Sequence, residues 1–213
     1  MKNILLIGAN GNTSAEIIPR LLQQDDVRLT LFSRRIDHIA SFQSATANII
    51  QGDALNVNDL IRASADQDIV ISTLGGLDIQ AKTANIIAAM KQNGVKRLIL
   101  ISIGGIYDEL PEPFNTWDRQ MVGHYREPNL SAVEMIEQSG LDYTVLRPLW
   151  LTNQKSESAK LVPKGEMFGG TQTSRASIAK LIAGIVQNPS LYLNENLGMY
   201  EPGTQGSRPI AYR

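Results

Sequence analysis

Asn3-Ile4-Leu5-Leu6-Ile7-Gly8-Ala9-Asn10-Gly11-Asn12-Thr13-Ser14 is the stretch from which the rest of the chain can be read. Consecutive apolar residues from Ile4 to Ile7, closed by a glycine, suit a strand buried on both faces of a parallel sheet. Gly8 and Gly11 let the backbone turn sharply and approach a pyrophosphate. The helix that follows would point its free N–H groups and positive dipole end at the same place. The spacing is Gly-x-x-Gly-x-x-Ser, one residue wider between its first glycines than G-x-G-x-x-G. Ser14 stands at the third glycine position and predicts a slightly looser packing of that helix. The competing reading is an ordinary strand-turn-helix corner.

Size and charge narrow the remaining classes. A chain of 213 residues can bury one substantial core, and no break in composition suggests a second domain. With 20 basic and 21 acidic residues the net charge is −1, which recommends no nucleic-acid or anionic-membrane surface. The absence of cysteine excludes disulfides and thiolate chemistry and suits a reducing compartment, so a cytoplasmic location is expected. The apolar run at Ile4–Ile7 is too short for a signal-peptide core, and no later run reaches the ~18 residues of a membrane span. His38 and His124 lie far apart without a ligand cluster, so no metal site is expected.

Beyond the first helix, about 12–24 with Pro19 inside it, Val27 to Phe32 reads as a second strand ending in Ser33-Arg34-Arg35. Ser33 lies 25 residues after Gly8, close to the reach of about 20 at which a carboxylate would hold the ribose 2′-hydroxyl of NAD. No carboxylate is present there. A hydroxyl and two guanidinium groups suit a 2′-phosphate, which points to NADP(H); paired arginines on a solvated strand end are the alternative. A third strand at about 47–51 ends in Gly52-Asp53, where Asp53 is either an adenine contact or ordinary turn chemistry. A helix at about 57–64, capped by Asn56, leads to a fourth strand ending in Gly75-Gly76, residues that allow close approach of a ribose or diphosphate. A regular helix follows at 79–93, with Ala84, Ile87, Ala88 and Lys91 on one side, then a fifth strand, Leu98–Ile101, ending at Ser102.

Five alternations of strand and helix predict a doubly wound α/β sheet with right-handed crossovers. From 106 to 128 the alternation lapses into a stretch rich in aromatic residues and proline, read as a substrate-covering loop, a packed loop or a dimer contact. A helix at about 129–139, a strand at 142–146, a polar flap at 152–172, a helix at 177–187 capped by Ser174 or Ser177, and an edge strand at 197–201 complete the expected order. Loops at about 103–128 and 150–173 are expected on the substrate side of one domain.

Gly8-Ala9-Asn10-Gly11, Ser33-Arg34, Gly52-Asp53, Leu74-Gly75-Gly76, Ser102, and Ser139-Gly140-Leu141-Asp142-Tyr143-Thr144 running into Arg147-Pro148 together resemble the atypical short-chain dehydrogenase/reductases. The likeness is to their NAD(P)H-binding group, which includes NmrA-like proteins and flavin, biliverdin and quinone reductases. It implies a Rossmann-like sheet with strand order 3-2-1-4-5-6-7. It also implies phosphate contacts from Asn10, Asn12 and Thr13, a 2′-phosphate contact at Ser33 and Arg34, an adenine contact at Asp53, and cofactor contacts near Leu74, Ser102, Arg147 and Pro148. Ser102 takes the position of a catalytic serine. The wider family's Tyr-x-x-x-Lys pair is missing: Tyr125 is followed four residues later by Asn129, and Tyr143 by Arg147.

Ordinary alcohol or carbonyl chemistry is therefore disfavoured. Hydride transfer to a planar acceptor such as a flavin or quinone demands less of the protein. Ser102 is a candidate to bond a carbonyl or carboxamide, and Tyr107, His124 and Tyr125 are candidates to supply a proton or line the pocket. Trp117 and Trp150 are placed either against a planar substrate or in the core. The expected ligands are NADP(H) and a small planar molecule, bound by a monomer or homodimer. A non-catalytic NADP(H)-binding redox sensor acting on a protein partner is the alternative.

Overall fold

In the computed structural model, which describes residues 1–212, strand β1 (Lys2–Ile7) runs directly into helix α1 (Asn12–Leu22). The alternation continues through β2 (Val27–Ser33), a 3-10 segment at Asp37–Phe42, β3 (Ala47–Gln51), α2 (Val57–Ser64), β4 (Ile69–Ser72), α3 (Ile79–Asn93) and β5 (Arg97–Ile101). Two further helices, α4 (Phe114–Val122) and α5 (Arg126–Glu137), precede β6 (Asp142–Pro148). The chain then forms β7 (Trp150–Thr152), β8 (Lys160–Pro163), β9 (Gln172–Ser174), α6 (Arg175–Gln187) and β10 (Glu195–Tyr200).

The main sheet has the order β3-β2-β1-β4-β5-β6-β10-β8, parallel throughout except for the antiparallel β8, while β7 and β9 pair separately. This is the doubly wound Rossmann-like order anticipated above, with β10 in the seventh place. β10 is not the expected edge, because β8, from the stretch expected to be an irregular flap, covers it.

β1 shows why both faces of the sheet can be covered. Ile4 and Leu6 point into a core shared with Ile17 and Leu21 of α1 and Ile182 and Ile185 of α6. Leu5 and Ile7 point the other way, toward Leu60 of α2, Ile86 of α3 and Val133 of α5. Strand periodicity thus places α1 and α6 on one face and α2, α3 and α5 on the other.

Two expectations about helices need correction. The stretch 106–128 is largely helical, and α5 begins at Arg126 rather than Asn129. Pro128 sits within the first turn of α5, where an N–H has no intrahelical acceptor to lose, so it does not delay the helix start. The buried face of α3 consists of Ile79, Lys82, Thr83, Ile86, Ala89 and Met90, whereas Ala88 and Lys91 are exposed. The cap of α6 is Ser174, whose side chain accepts from Ser177 N–H at 3.1 Å.

Candidate active site

A cleft of about 280 Å³ lies at the carboxyl edge of the sheet, over the ends of β1 to β4. β1 is where the winding reverses, with β2 and β3 to one side and β4 to the other, and ligands of open α/β sheets bind at such a switch point. The cleft brings together Gly8, Asn10, Gly11, Ser33, Arg34, Arg35, Asp53, Leu74 and Gly75. Asn12 lines an adjoining recess with Asn10 and Arg35, and Thr13 is half-buried in the first turn of α1. Gly76 shapes the turn after β4 with φ of +106° and does not line the cleft.

The turn after β1 depends on its first glycine. Gly8 has φ of +87°, and a Cβ there would meet Thr73 Oγ1 at 2.6 Å. Ser14, fully buried, donates to Gly8 O at 2.9 Å and lies 2.9 Å from Thr73 Oγ1. The predicted looseness at Ser14 is therefore corrected: its hydroxyl fastens α1 to the turn and to the end of β4. No side chain caps α1, whereas α2 and α6 are capped by Asn56 and Ser174. The first amides of α1 are left to meet an anion.

Arg34 and Arg35 are exposed at the cleft, and among the described residues neither is held in an ion pair. The buried Ser33 accepts Arg35 N–H at 3.4 Å, which leaves its own hydroxyl proton free for a ligand. Asp53 serves its turn and faces the cleft at once: Oδ1 accepts Leu55 N–H at 3.0 Å while the residue lines the cavity. Above Gly75 a Cβ would meet nothing within 4 Å, so that backbone is open to a ligand.

Lys82 is a cleft residue that sequence reasoning missed. Its Nζ donates to Gly75 O at 3.1 Å and to Asp78 Oδ1 at 2.6 Å, and this bond holds the Asp78 carboxyl below the usual carboxylate range. The available signal was a lysine three residues after Ile79 and four before Ile86, on the apolar face of α3.

Beside this cleft, over the ends of β5 and β6, a second cavity of about 180 Å³ is mostly apolar. Ser102, Tyr125, Pro148, Leu149 and Trp150 line it, with the buried carboxylate of Asp118. Ser102 Oγ donates to Asn129 Oδ1 at 3.1 Å, and Asn129 Nδ2 donates to the Tyr125 carbonyl at 2.9 Å. The residue in the missing lysine's place thus holds the serine. Asp118 accepts Trp150 Nε1–H at 2.7 Å and Arg126 Nη2–H at 2.6 Å. Trp150 lines the cavity while packing on Trp117, their ring centroids 4.7 Å apart, and both touch Tyr212. Asp118, Arg126 and Asn129 were not anticipated, because their partners are 8 to 32 residues away.

Several proposed residues are placed elsewhere. His124 is exposed, its ring 4.2 Å from that of Tyr125, and it does not line the cavity. Arg147 is completely buried, ion-paired with Glu109 and donating to Asn196 Oδ1 at 2.7 Å. It shares the strand face of Val145 and so points between the layers rather than off the carboxyl edge. Tyr107 packs under it, with the guanidinium 5.0 Å above the ring and the phenol accepting Asn196 Nδ2–H at 3.0 Å. Burial pushes the Tyr107 phenol up, with Glu137 adding to the effect. Glu109 also accepts Gly105 N–H at 3.1 Å and Tyr107 N–H at 2.6 Å, so this network shapes the loop after β5 and touches neither cavity.

Among the described residues no helix is long and apolar enough to cross a membrane, and no group of histidine and carboxylate side chains is arranged to hold a metal.

Residues 8–189 match a family described as NAD(P)H-binding. A solved Rossmann-fold NAD(P)-binding family protein from Shigella flexneri is 37% identical, with 99% of this chain and 98% of that one covered and a TM-score of 0.82. A short-chain dehydrogenase/reductase from Veillonella parvula, solved in complex with NADP, is 26% identical, covering 98% and 99% of the two chains with a TM-score of 0.91. A phenylcoumaran benzylic ether reductase from Pinus taeda is 30% identical over 157 residues, 66% of this chain; the match spans only 46% of that relative's length.

Proposed function

The chain belongs to the NAD(P)H-binding family, and from that premise we propose that it is an NADPH-dependent reductase of a small planar acceptor such as a flavin or quinone. One observation carries the cofactor preference: Arg34 and Arg35 stand exposed at the end of β2 with no ion pair among the described residues, where the sequence offers no carboxylate for a ribose 2′-hydroxyl. The residues fit the nucleotide. The uncapped start of α1 and the Gly8–Gly11 turn would hold the pyrophosphate, Ser33, Arg34 and Arg35 the 2′-phosphate, and Asp53 and Ala54 the adenine side. The relative solved with NADP supports this reading.

When bound, the reduced nicotinamide supplies a hydride, which with a proton from the solvent or the protein reduces the acceptor by two electrons. This chain's own residues position and shield. Leu149, Trp150 and Ile103 offer an apolar seat for a flat ring, and Ser102, Tyr125 and Asp118 are the polar residues lining it. Tyr125 is the side chain we assign as proton donor; its hydroxyl has no partner among the described residues. The cysteine-free composition suits a cytoplasmic setting.

The test is NADPH oxidation by purified protein against flavins, quinones and small carbonyls. Turnover is expected with flavins or quinones and not with simple carbonyls, and background rates with every acceptor would overturn the assignment. Asn129 in the lysine's place favours a second reading, a sensor that binds NADP(H) without turnover and engages a protein partner in one redox form only.

A further inference from the structure

Three features stand outside the roles assigned so far. The aromatic group of Trp117, Trp150 and Tyr212 forms an outer wall, but nothing shows what would cover it. The Arg147–Glu109 network is buried and shapes a loop. The third feature, the direction of the hydrogen bonds around Ser102, reaches furthest.

Asn129 cannot be turned around. Its Nδ2 donates to the Tyr125 carbonyl, which can only accept, so its Oδ1 must face Ser102. An amide oxygen only accepts, so the single proton of the Ser102 hydroxyl is committed to Asn129 at 3.1 Å, inside the protein. Ser102 lines the second cavity, and what remains for a ligand there is its lone pairs. A serine that helps reduce a carbonyl must donate to the oxygen that gains charge, and this one faces its ligand as an acceptor.

We propose that Ser102 selects acceptors carrying an N–H donor, of the lactam or ring-nitrogen type, and that Asn129 is the positioning residue that sets this polarity. The inference rests on the second cavity being the acceptor site. It extends that reading by separating flat molecules with a ring N–H from quinones and carbonyls that have only acceptor atoms. Asp118 does not offset the preference: its carboxylate oxygens accept from Trp150 and Arg126, and it too can only accept. The cavity's polar side chains therefore leave Tyr125 as the hydroxyl able to donate.

The experiment compares lumiflavin, which has a lactam N3–H, with its N3-methyl derivative. Both kcat/KM with NADPH and binding by flavin fluorescence in the presence of NADP+ are measured. The native protein is expected to favour lumiflavin by about tenfold, the effect of one hydrogen bond. S102A is expected to reduce that ratio to about one. In N129L the serine proton is released and the ratio is expected to fall as well.

Thermal melts of each variant identify any loss of fold, and S102A then carries the comparison. A preference seen in binding without turnover supports the role of Ser102 and counts against the reductase reading alone. Equal binding of the two flavins by the native protein overturns the inference. So does an S102A variant that weakens NADP+ and leaves the flavin ratio unchanged, since Ser102 would then hold the cofactor's carboxamide.

Discussion

The two halves of the sheet treat charge in opposite ways. Over β1 to β4, Arg34 and Arg35 are exposed and, among the described residues, in no ion pair, and no side chain caps the first turn of α1. Over β5 to β10, Arg147 is locked to Glu109 and Arg126 to Asp118, all of them buried. Charge on one side is left exposed at the cleft, and on the other Asp118, held by Arg126, lines an apolar cavity. The difference teaches that the number of charges near a site says little until their partners are counted, because a buried ion pair spends most of its charge on its partner.

The largest expected effect lies in the spent half. Glu109→Ala would strand the fully buried Arg147 guanidinium, and urea unfolding should show a loss of about 3–5 kcal/mol. NADPH affinity of the protein that remains folded should change little, since Glu109 touches neither cavity. A large loss of affinity with little loss of stability would reverse the division drawn here.

Next in size is Arg34→Glu. Removing a charge-assisted bond and adding repulsion should weaken NADPH about 100-fold in a calorimetric titration and leave NADH within about threefold, at ~1.5–3 kcal/mol for such a bond. Equal losses for both nucleotides would mean that Arg34 does not meet the 2′-phosphate. Gly8→Ala should cost about 1–3 kcal/mol in the same unfolding assay, because φ of +87° and the neighbouring Thr73 both oppose a side chain.

The smallest effect concerns Lys82 and Asp78. Asp78 has its pKa lowered by the bond from Lys82, so the pair stabilises the fold above the ordinary carboxylate pKa and loses that contribution as pH falls through the lower folded value. Asp78 is nearly half exposed, which limits the contribution to less than about 1 kcal/mol. Unfolding midpoints of K82M and the native protein should differ slightly at pH 7, and the gap should narrow as the pH falls below the ordinary carboxylate pKa. A gap that widens in acid would reverse the sign.

The nucleotide half was legible in the sequence for a physical reason. Gly8, Ser33, Asp53 and Gly75 each stand at or just beyond the end of a strand, and parallel strands deliver their ends to one edge whatever lies between them. Lys82 escaped because a lysine on the buried face of a helix looks like a break in the apolar pattern until Gly75 and Asp78 are seen beside it. In the other half, proline and aromatic residues hid α4 and the first turn of α5, although Pro128 falls where a helix tolerates it.

Arg147 was misread because its place beside Pro148 suggests the strand end, while the alternation of β6 turns it into the interior. Ser14 was undervalued because its partner, Thr73, lies 59 residues away. Long-range hydrogen bonds leave no period in a sequence.

The free charges at the end of β2 are tested most directly by titrating the native protein with NADPH and with NADH under the same conditions. NADPH should bind at least tenfold more tightly, with the difference shrinking as salt screens the exposed guanidinium groups. Equal affinities at low salt would contradict the account.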